Sequence, residues 1–161
     1  MKTRERGFSL IELLIVVAII LIIAAIAIPD FMKSKMAANQ ASAVQSLRVL
    51  NSSQVMYAAN YGKGYSSSLN DLKAPTGGAL PSLTAAALID NVLGSGIKSG
   101  YQFTYTPTIT DPVGNYIGYT ITADPLTLGT TGGVFYYTDQ SFVIRFHNTR
   151  PANSTDQPLS R

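Results

Sequence analysis

The sequence contains no cysteine and a single histidine. Without thiols there is no disulfide, no thiolate metal centre and no cysteine nucleophile, and one histidine cannot build a Cys/His zinc cluster. That residue, His147, lies beside Arg145 on the face opposite Ile144 and Phe146, where a solvated surface role is expected. No phosphate-binding glycine loop and no serine elbow occurs, so neither catalytic residues nor a cofactor is expected, and the chain does not read as an enzyme. Aspartates 111, 124 and 139 lack the spacing of a dedicated calcium loop, so Asp111-Pro112-Val113-Gly114-Asn115 reads as a turn and no metal is expected. Asn51-Ser52-Ser53 and Asn153-Ser154-Thr155 match the glycosylation acceptor pattern, which is too short and common to carry weight.

A large charge imbalance is missing too. The pI of 9.2 rests on twelve Lys and Arg against nine Asp and Glu, but Lys2, Arg4 and Arg6 with Glu5 stand ahead of the first apolar residue. The rest holds nine basic against eight acidic residues, a weak signal that leaves nucleic acid undecided as a partner.

What the chain does have is a run of hydrocarbon. From Phe8 to Ile28 it is apolar apart from Ser9 and one carboxylate, Glu12. About 20 residues at ~1.5 Å rise cross a ~30 Å hydrocarbon layer, so a spanning helix is predicted over 8–29. The basic flank before it is retained on the cytoplasmic side, which sends the C-terminal bulk outward. Glu12 is the informative residue, because a charge within such a run costs roughly 2.5 to 3.5 kcal/mol on insertion scales and calls for an interface or a dedicated partner. A secretory signal cut near Ala25-Ile26-Ala27 is disfavoured, since its core would be too long and a glutamate in a discarded peptide has no purpose. A plain membrane anchor likewise leaves Glu12 unexplained.

Together the basic leader, Gly7, Phe8, Glu12, the apolar stalk and Pro29 resemble the N-terminal signature of type IV pilins and the related pseudopilins of type II secretion. The resemblance is specific over about the first thirty residues and looser in Gly100 to Phe146, a stretch similar to pilin-like proteins that end in a small sheet. It implies a leader of residues 1–7, cleavage between Gly7 and Phe8 by a prepilin peptidase, and N-methylation of Phe8. It also implies assembly through Phe8 and Glu12 into a helical homopolymer, with an inner-membrane platform, a cytoplasmic ATPase and, where an outer membrane exists, a secretin as partners. The precursor would sit in the inner membrane among lipid with its N-terminus inside. The product would be a cell-surface pilus for adhesion, twitching motility or DNA uptake. A secretion pseudopilin is the alternative, and a monomeric membrane-anchored extracytoplasmic binding module is the alternative of another class. Many family members close their C-terminal loop with a disulfide; this chain must use hydrogen bonds and packing.

The fold class that follows is α+β, a long N-terminal helix with a C-terminal antiparallel sheet of three or four strands packed on it. Beyond Pro29, Ala43, Val44, Leu47, Leu50, Tyr57, Ala58 and Tyr61 share one helical face, so the helix is expected to continue to about Tyr61, where Gly62 and Gly64 stop it. Pro29 denies an amide to the Ala25 carbonyl and is expected to kink or locally open the helix. A globular domain over 30–161 then comprises this helix, a connecting region over 62–100 with a short helix from Ser82 to Leu93, and a sheet over 101–147. A polar tail over 148–161 is expected to be exposed and partly mobile. Strands are expected around Tyr101, Phe103 and Tyr105; Ile117, Tyr119 and Ile121; Phe135 and Tyr137; and Phe142, Ile144 and Phe146. The junction at Gly7 generates the first prediction: the intact mass and N-terminal peptide of the assembled protein correspond to a chain starting at methylated Phe8. A start at Ile28, or retention of Met1 to Gly7, contradicts it.

Overall fold

The computed structural model describes residues 8–160. Gly7, and with it one side of the expected cleavage junction, lies outside the described residues. One helix, α1, runs from Leu10 to Tyr61, and the chain divides into two compact units at Lys35/Met36.

In the first unit the helix is apolar around its whole circumference. Leu10, Ile15, Ile19, Ile22, Ile26 and their neighbours up to Ile28 are all exposed, because the unit supplies nothing to bury them. Pro29 is accommodated inside the helical run, and just beyond it the Ser34 hydroxyl donates to the Asp30 carbonyl at 2.9 Å. Such back-bonding gives a side-chain donor to helix carbonyls near a proline break.

The second unit has a conventional core. Ala43, Leu47, Leu50 and Tyr57 are buried on one face of α1, as the helical spacing predicts, and pack with Tyr101, Phe103, Tyr119, Ile121 and Ala123 of the sheet. At the helix end Gly62 adopts φ +64°, its amide donating to Ala58 O at 2.9 Å. Gly64, at φ +72°, lies so close to the Tyr116 carbonyl that a Cβ has no room.

The sheet is an antiparallel meander in the order β1 (Ile97–Lys98), β2 (Tyr101–Thr110), β3 (Tyr116–Pro125), β4 (Phe135–Asp139) and β5 (Arg145–His147). The four expected strand regions are present, and the two-residue β1 adds a fifth strand. β2 and β3 pair from Tyr101↔Pro125 to Thr110↔Tyr116, with register shifts beside Pro107, which has no amide to give a ladder. Between them Asp111 forms the expected turn, its carboxylate accepting from the Val113 and Asn115 amides and from Asn115 Nδ2.

Three local expectations differ. Only Asn91–Gly94 of the Ser82–Leu93 segment is helical (α2), capped by Asp90, which accepts from the Leu93 amide at 2.8 Å. The preceding amides of Ala86, Ala87, Leu88 and Ile89 donate instead to carbonyls of Asp71, Lys73 and Leu72, so long-range pairing overrides local helix propensity. Phe142 is not in the last strand. It sits at φ +63° in a turn built on Asp139, whose carboxylate accepts from the Ser141 amide and whose carbonyl accepts from the Phe142 amide.

The third difference is the tail, which folds back. Phe146 N donates to Gln157 O at 3.1 Å and Leu159 N to Ile144 O at 2.7 Å, placing 157–159 along the free edge of β5. Inside this loop Arg150 grips Asp156 through two contacts, at 2.6 and 3.0 Å; Asn153 N donates to the same carboxylate, Arg145 holds the Asp156 carbonyl, and Ala152 is buried beneath. A bidentate guanidinium–carboxylate pair is directional enough to close a loop that has no disulfide.

The Arg150 hydrogen bonds hold the Asp156 carboxyl below its ordinary range. A depressed folded-state value contributes order that is present above the unfolded value of about 4 and is lost as pH falls through the folded one. Hydrogen exchange at the Phe146 and Leu159 amides should therefore accelerate below pH ~4 before the core melts, and Asp156→Asn should accelerate it at pH 7. Unchanged exchange in Asp156→Asn would show that the edge pairing alone closes the loop.

Candidate functional site

Two regions carry side chains poised for specific contact. The first is the start of α1. Its N-cap is Ser9, three residues before Glu12, and the Glu12 carboxylate reaches back to accept from the Ser9 amide at 3.0 Å, while the Glu12 and Leu13 amides donate to Ser9 O. Ser9-Leu-Ile-Glu12 therefore forms the carboxylate half of a capping box, a signature that was present in the sequence as S-x-x-E but was hidden by the apolar run around it. Glu12 thus has a local partner within its own chain, so a simple anchor does not leave it wholly unexplained. Phe8 precedes the cap and is 82% exposed.

A carboxylate at this position also faces the end of the helix where unpaired amides and the macrodipole favour negative charge. Among the described residues Glu12 uses one oxygen, in the Ser9 contact, and a carboxylate has a second oxygen that can accept as well. Pro29 lies within the same unit but well along the helix, so the structure groups Phe8 and Glu12 and leaves Pro29 apart.

The second region is the seam between α1 and the sheet, whose polar residues the hydrophobic pattern did not reveal. Asn51 is buried; its Oδ1 accepts from the Tyr119 hydroxyl at 3.0 Å and its Nδ2 donates to Thr138 Oγ1 at 2.9 Å. One turn on, Gln54 is buried too, donating to Ser66 Oγ and accepting from the Ser66 amide, while the Tyr105 hydroxyl donates to the Ser66 carbonyl at 2.6 Å. Burial pushes the ionisation of Tyr105 and Tyr119 upward, so both phenols stay protonated donors at neutral pH. The seam fixes helix against sheet and leaves none of these groups open to a ligand.

The remaining sequence candidates do not converge. Among the described residues no three His, Cys, Asp or Glu side chains gather where a metal ion could be held; Asp111 and Asp139 are occupied by their own turns. His147 is half-buried rather than fully solvated, its Nδ1 accepting from the Thr149 amide at 3.2 Å. Of the two glycosylation-type sequences, Asn51 is locked in the seam, while Asn153 is exposed with its Oδ1 turned to the Thr155 amide.

Comparison with known proteins finds its likenesses at the N-terminal end of the chain. The family described as the prokaryotic N-terminal methylation motif matches residues 2–28. The type IV major pilin protein PilA of Myxococcus xanthus (strain DK1622) is 55% identical over 51 residues. The N-terminal segment of the chain is thus similar to that of a type IV major pilin. The shared stretch covers 32% of this chain and 23% of the Myxococcus protein, so the likeness is one of a segment and not of two whole proteins. No solved structure matches. The long apolar helix and the C-terminal antiparallel sheet agree with the architecture that the resemblance implied, and the matched motif includes both Phe8 and Glu12.

The capping geometry generates a prediction separate from assembly. In detergent micelles the Ser9 amide should exchange about two- to fivefold faster in Glu12→Ala, the loss expected for a cap worth about 0.5–1 kcal/mol, and be little changed in Glu12→Gln. Equal acceleration in both variants would mean that charge rather than the capping hydrogen bond holds the helix start.

Proposed function

We propose that this chain is a type IV pilin, made as an inner-membrane precursor with its N-terminus inside, cut between Gly7 and Phe8, methylated on Phe8 and polymerised through α1 into a surface filament. The observation that carries the reading is one carboxylate, already held at a helix start, in an otherwise apolar stretch of α1 from Leu10 to Ile28 whose large side chains are all exposed. About fifteen such side chains at ~1.5 to 3 kcal/mol each make transfer to water cost tens of kcal/mol, so the stalk passes from lipid directly into the polymer. Lipid and a stalk bundle are similarly apolar. Polar pairing and close packing must therefore distinguish them.

Cleavage creates a cationic Phe8 amine, and a neighbour's amine brought beside Glu12 meets both a carboxylate and the geometry described above. Partners in the work are a prepilin peptidase, an assembly platform with its ATPase and other copies of the chain. Pro29 is the position where the helix would open during assembly. A pilus is favoured over a secretion pseudopilus by the polar C-terminal region, by the lack of a dedicated calcium loop and by the likeness to a protein named as a major pilin. Adhesion, twitching motility or DNA uptake is the task such a pilus would perform. The anchored binding module is the second reading, and the capping contact of Glu12 is what favours it.

The two readings separate at Glu12. Glu12→Gln keeps a side chain that can accept from Ser9 but removes the charge, and Glu12→Ala removes both. Leaving the partner amine buried alone typically costs ~3 to 5 kcal/mol, so both variants should insert and be cleaved yet give few filaments in cells without a wild-type copy. Normal filament yield from Glu12→Gln would reject the pairing and leave Glu12 as a helix cap.

A further inference from the structure

Among the described residues, only three aromatic side chains are exposed: Phe8, Phe31 and Phe142. Phe142 is the odd one. It occupies the left-handed region, φ +63°, which disfavours any side chain with a Cβ, and its turn is held there by the Asp139 hydrogen bonds. Packing within the domain still leaves this residue 45% exposed. The ring borders a groove of about 270 Å³ lined also by Arg48, Asn51, Ser52 and Val55 of α1.

Arg48 is unmatched as well. The ion pairs among the described residues are Lys33–Asp30, Lys98–Asp90 and Arg150–Asp156, and Arg48 takes part in none. From Met36 to Tyr61 it is the only charged residue of α1, and the other exposed residues there are Val49, Val55, Met56, several alanines, Ser52 and two neutral amides, Gln45 and Asn60. Solvated helix faces are ordinarily rich in charge, so this face has the composition of a covered one. The carboxylates supply the complement. Asp71, Asp90, Asp111, Asp139 and Asp156 are engaged by nearby groups at 3.0 Å or less. Asp124 has only the Thr122 hydroxyl at 3.4 Å, but its other oxygen is buried and not presented to a neighbouring copy. Asp30 has only Lys33 at 3.5 Å, with both side chains about three-quarters exposed. Next to Asp30 stands exposed Phe31.

We infer that the groove between Arg48 and Phe142 receives Asp30 and Phe31 of a second copy of this chain, Asp30 pairing with Arg48 while Phe31 packs on Phe142 and Val55. This contact rests on the filament reading and adds to it a docking site outside the stalk bundle.

The test uses the full-length chain in cells lacking the wild-type copy, with filament recovered by shearing and membrane-held protein measured alongside. Arg48→Glu should cut filament yield about tenfold, and Asp30→Lys combined with Arg48→Glu should bring it back to within about twofold of the parent. Lys33 and Lys35 already flank position 30, so the added lysine asks little new of insertion. Phe142→Gly separates docking from folding: it relieves the positive φ, so melting in micelles should be unchanged or higher while filament yield falls severalfold. Wild-type cells without filaments would overturn the filament reading and this contact together. Abundant wild-type filaments with normal yield from Arg48→Glu, no recovery in the double variant, or normal yield from Phe142→Gly would overturn the contact alone.

Discussion

One helix has to satisfy two different surroundings, and the rest of the molecule follows from that constraint. Up to Ile28 α1 is apolar on every side and finds no cover within its own unit. From Met36 onward one face is buried by the sheet. A uniformly apolar helix needs lipid or other helices around it, and an amphipathic one needs a domain on its apolar side. Glu12 and the Ser9 cap mark the start of the first regime and Pro29 stands near its end. Chemistry that departs from hydrocarbon in the first unit is concentrated at those two places.

The second unit is held in register by polar groups as much as by its core. Asn51 and Gln54 reach from the helix to Tyr119, Thr138 and Ser66, and each buried amide is satisfied on both its oxygen and its nitrogen. A sliding helix would break these bonds and leave buried donors without acceptors, which is costlier than losing an equal number of apolar contacts. The C-terminal loop uses the same economy without a cysteine. Arg150 and Asp156 tie the loop to itself, and Leu159 and Phe146 tie it to the edge of β5, which would otherwise offer unpaired backbone to a neighbouring sheet.

Elements with strong periodicity were legible in the sequence. The apolar run, the buried face through Ala43, Leu47, Leu50 and Tyr57, the stop at Gly62 and the strands around Tyr101 to Tyr105 and Tyr119 to Ile121 all follow from spacing. Elements decided by long-range partners were not. Residues 82–90 have a helical pattern, but the amides of 86–89 find carbonyls at 71–73, and Phe142 matches the strand alternation while Asp139 turns the chain away from it. The tail looked loose because its composition is polar; an arginine and an aspartate six residues apart close it only once the backbone has turned. At the candidate site Phe8 and Glu12 stood out at once. The capping partner of Glu12 and the polar seam did not, because hydrophobic patterning is blind to which polar side chains will be buried in pairs.

The central claim is that α1 leaves the membrane by entering a bundle of identical helices. Cryo-electron microscopy of filaments sheared from the cell surface, at a resolution that traces side chains, tests it directly. The account predicts a filament built of this chain, its stalks packed in the core and the Glu12 carboxylate of each subunit beside the Phe8 amine of a neighbour. Filaments in which this chain is absent, or in which Glu12 caps only its own helix with no neighbouring amine, would contradict it.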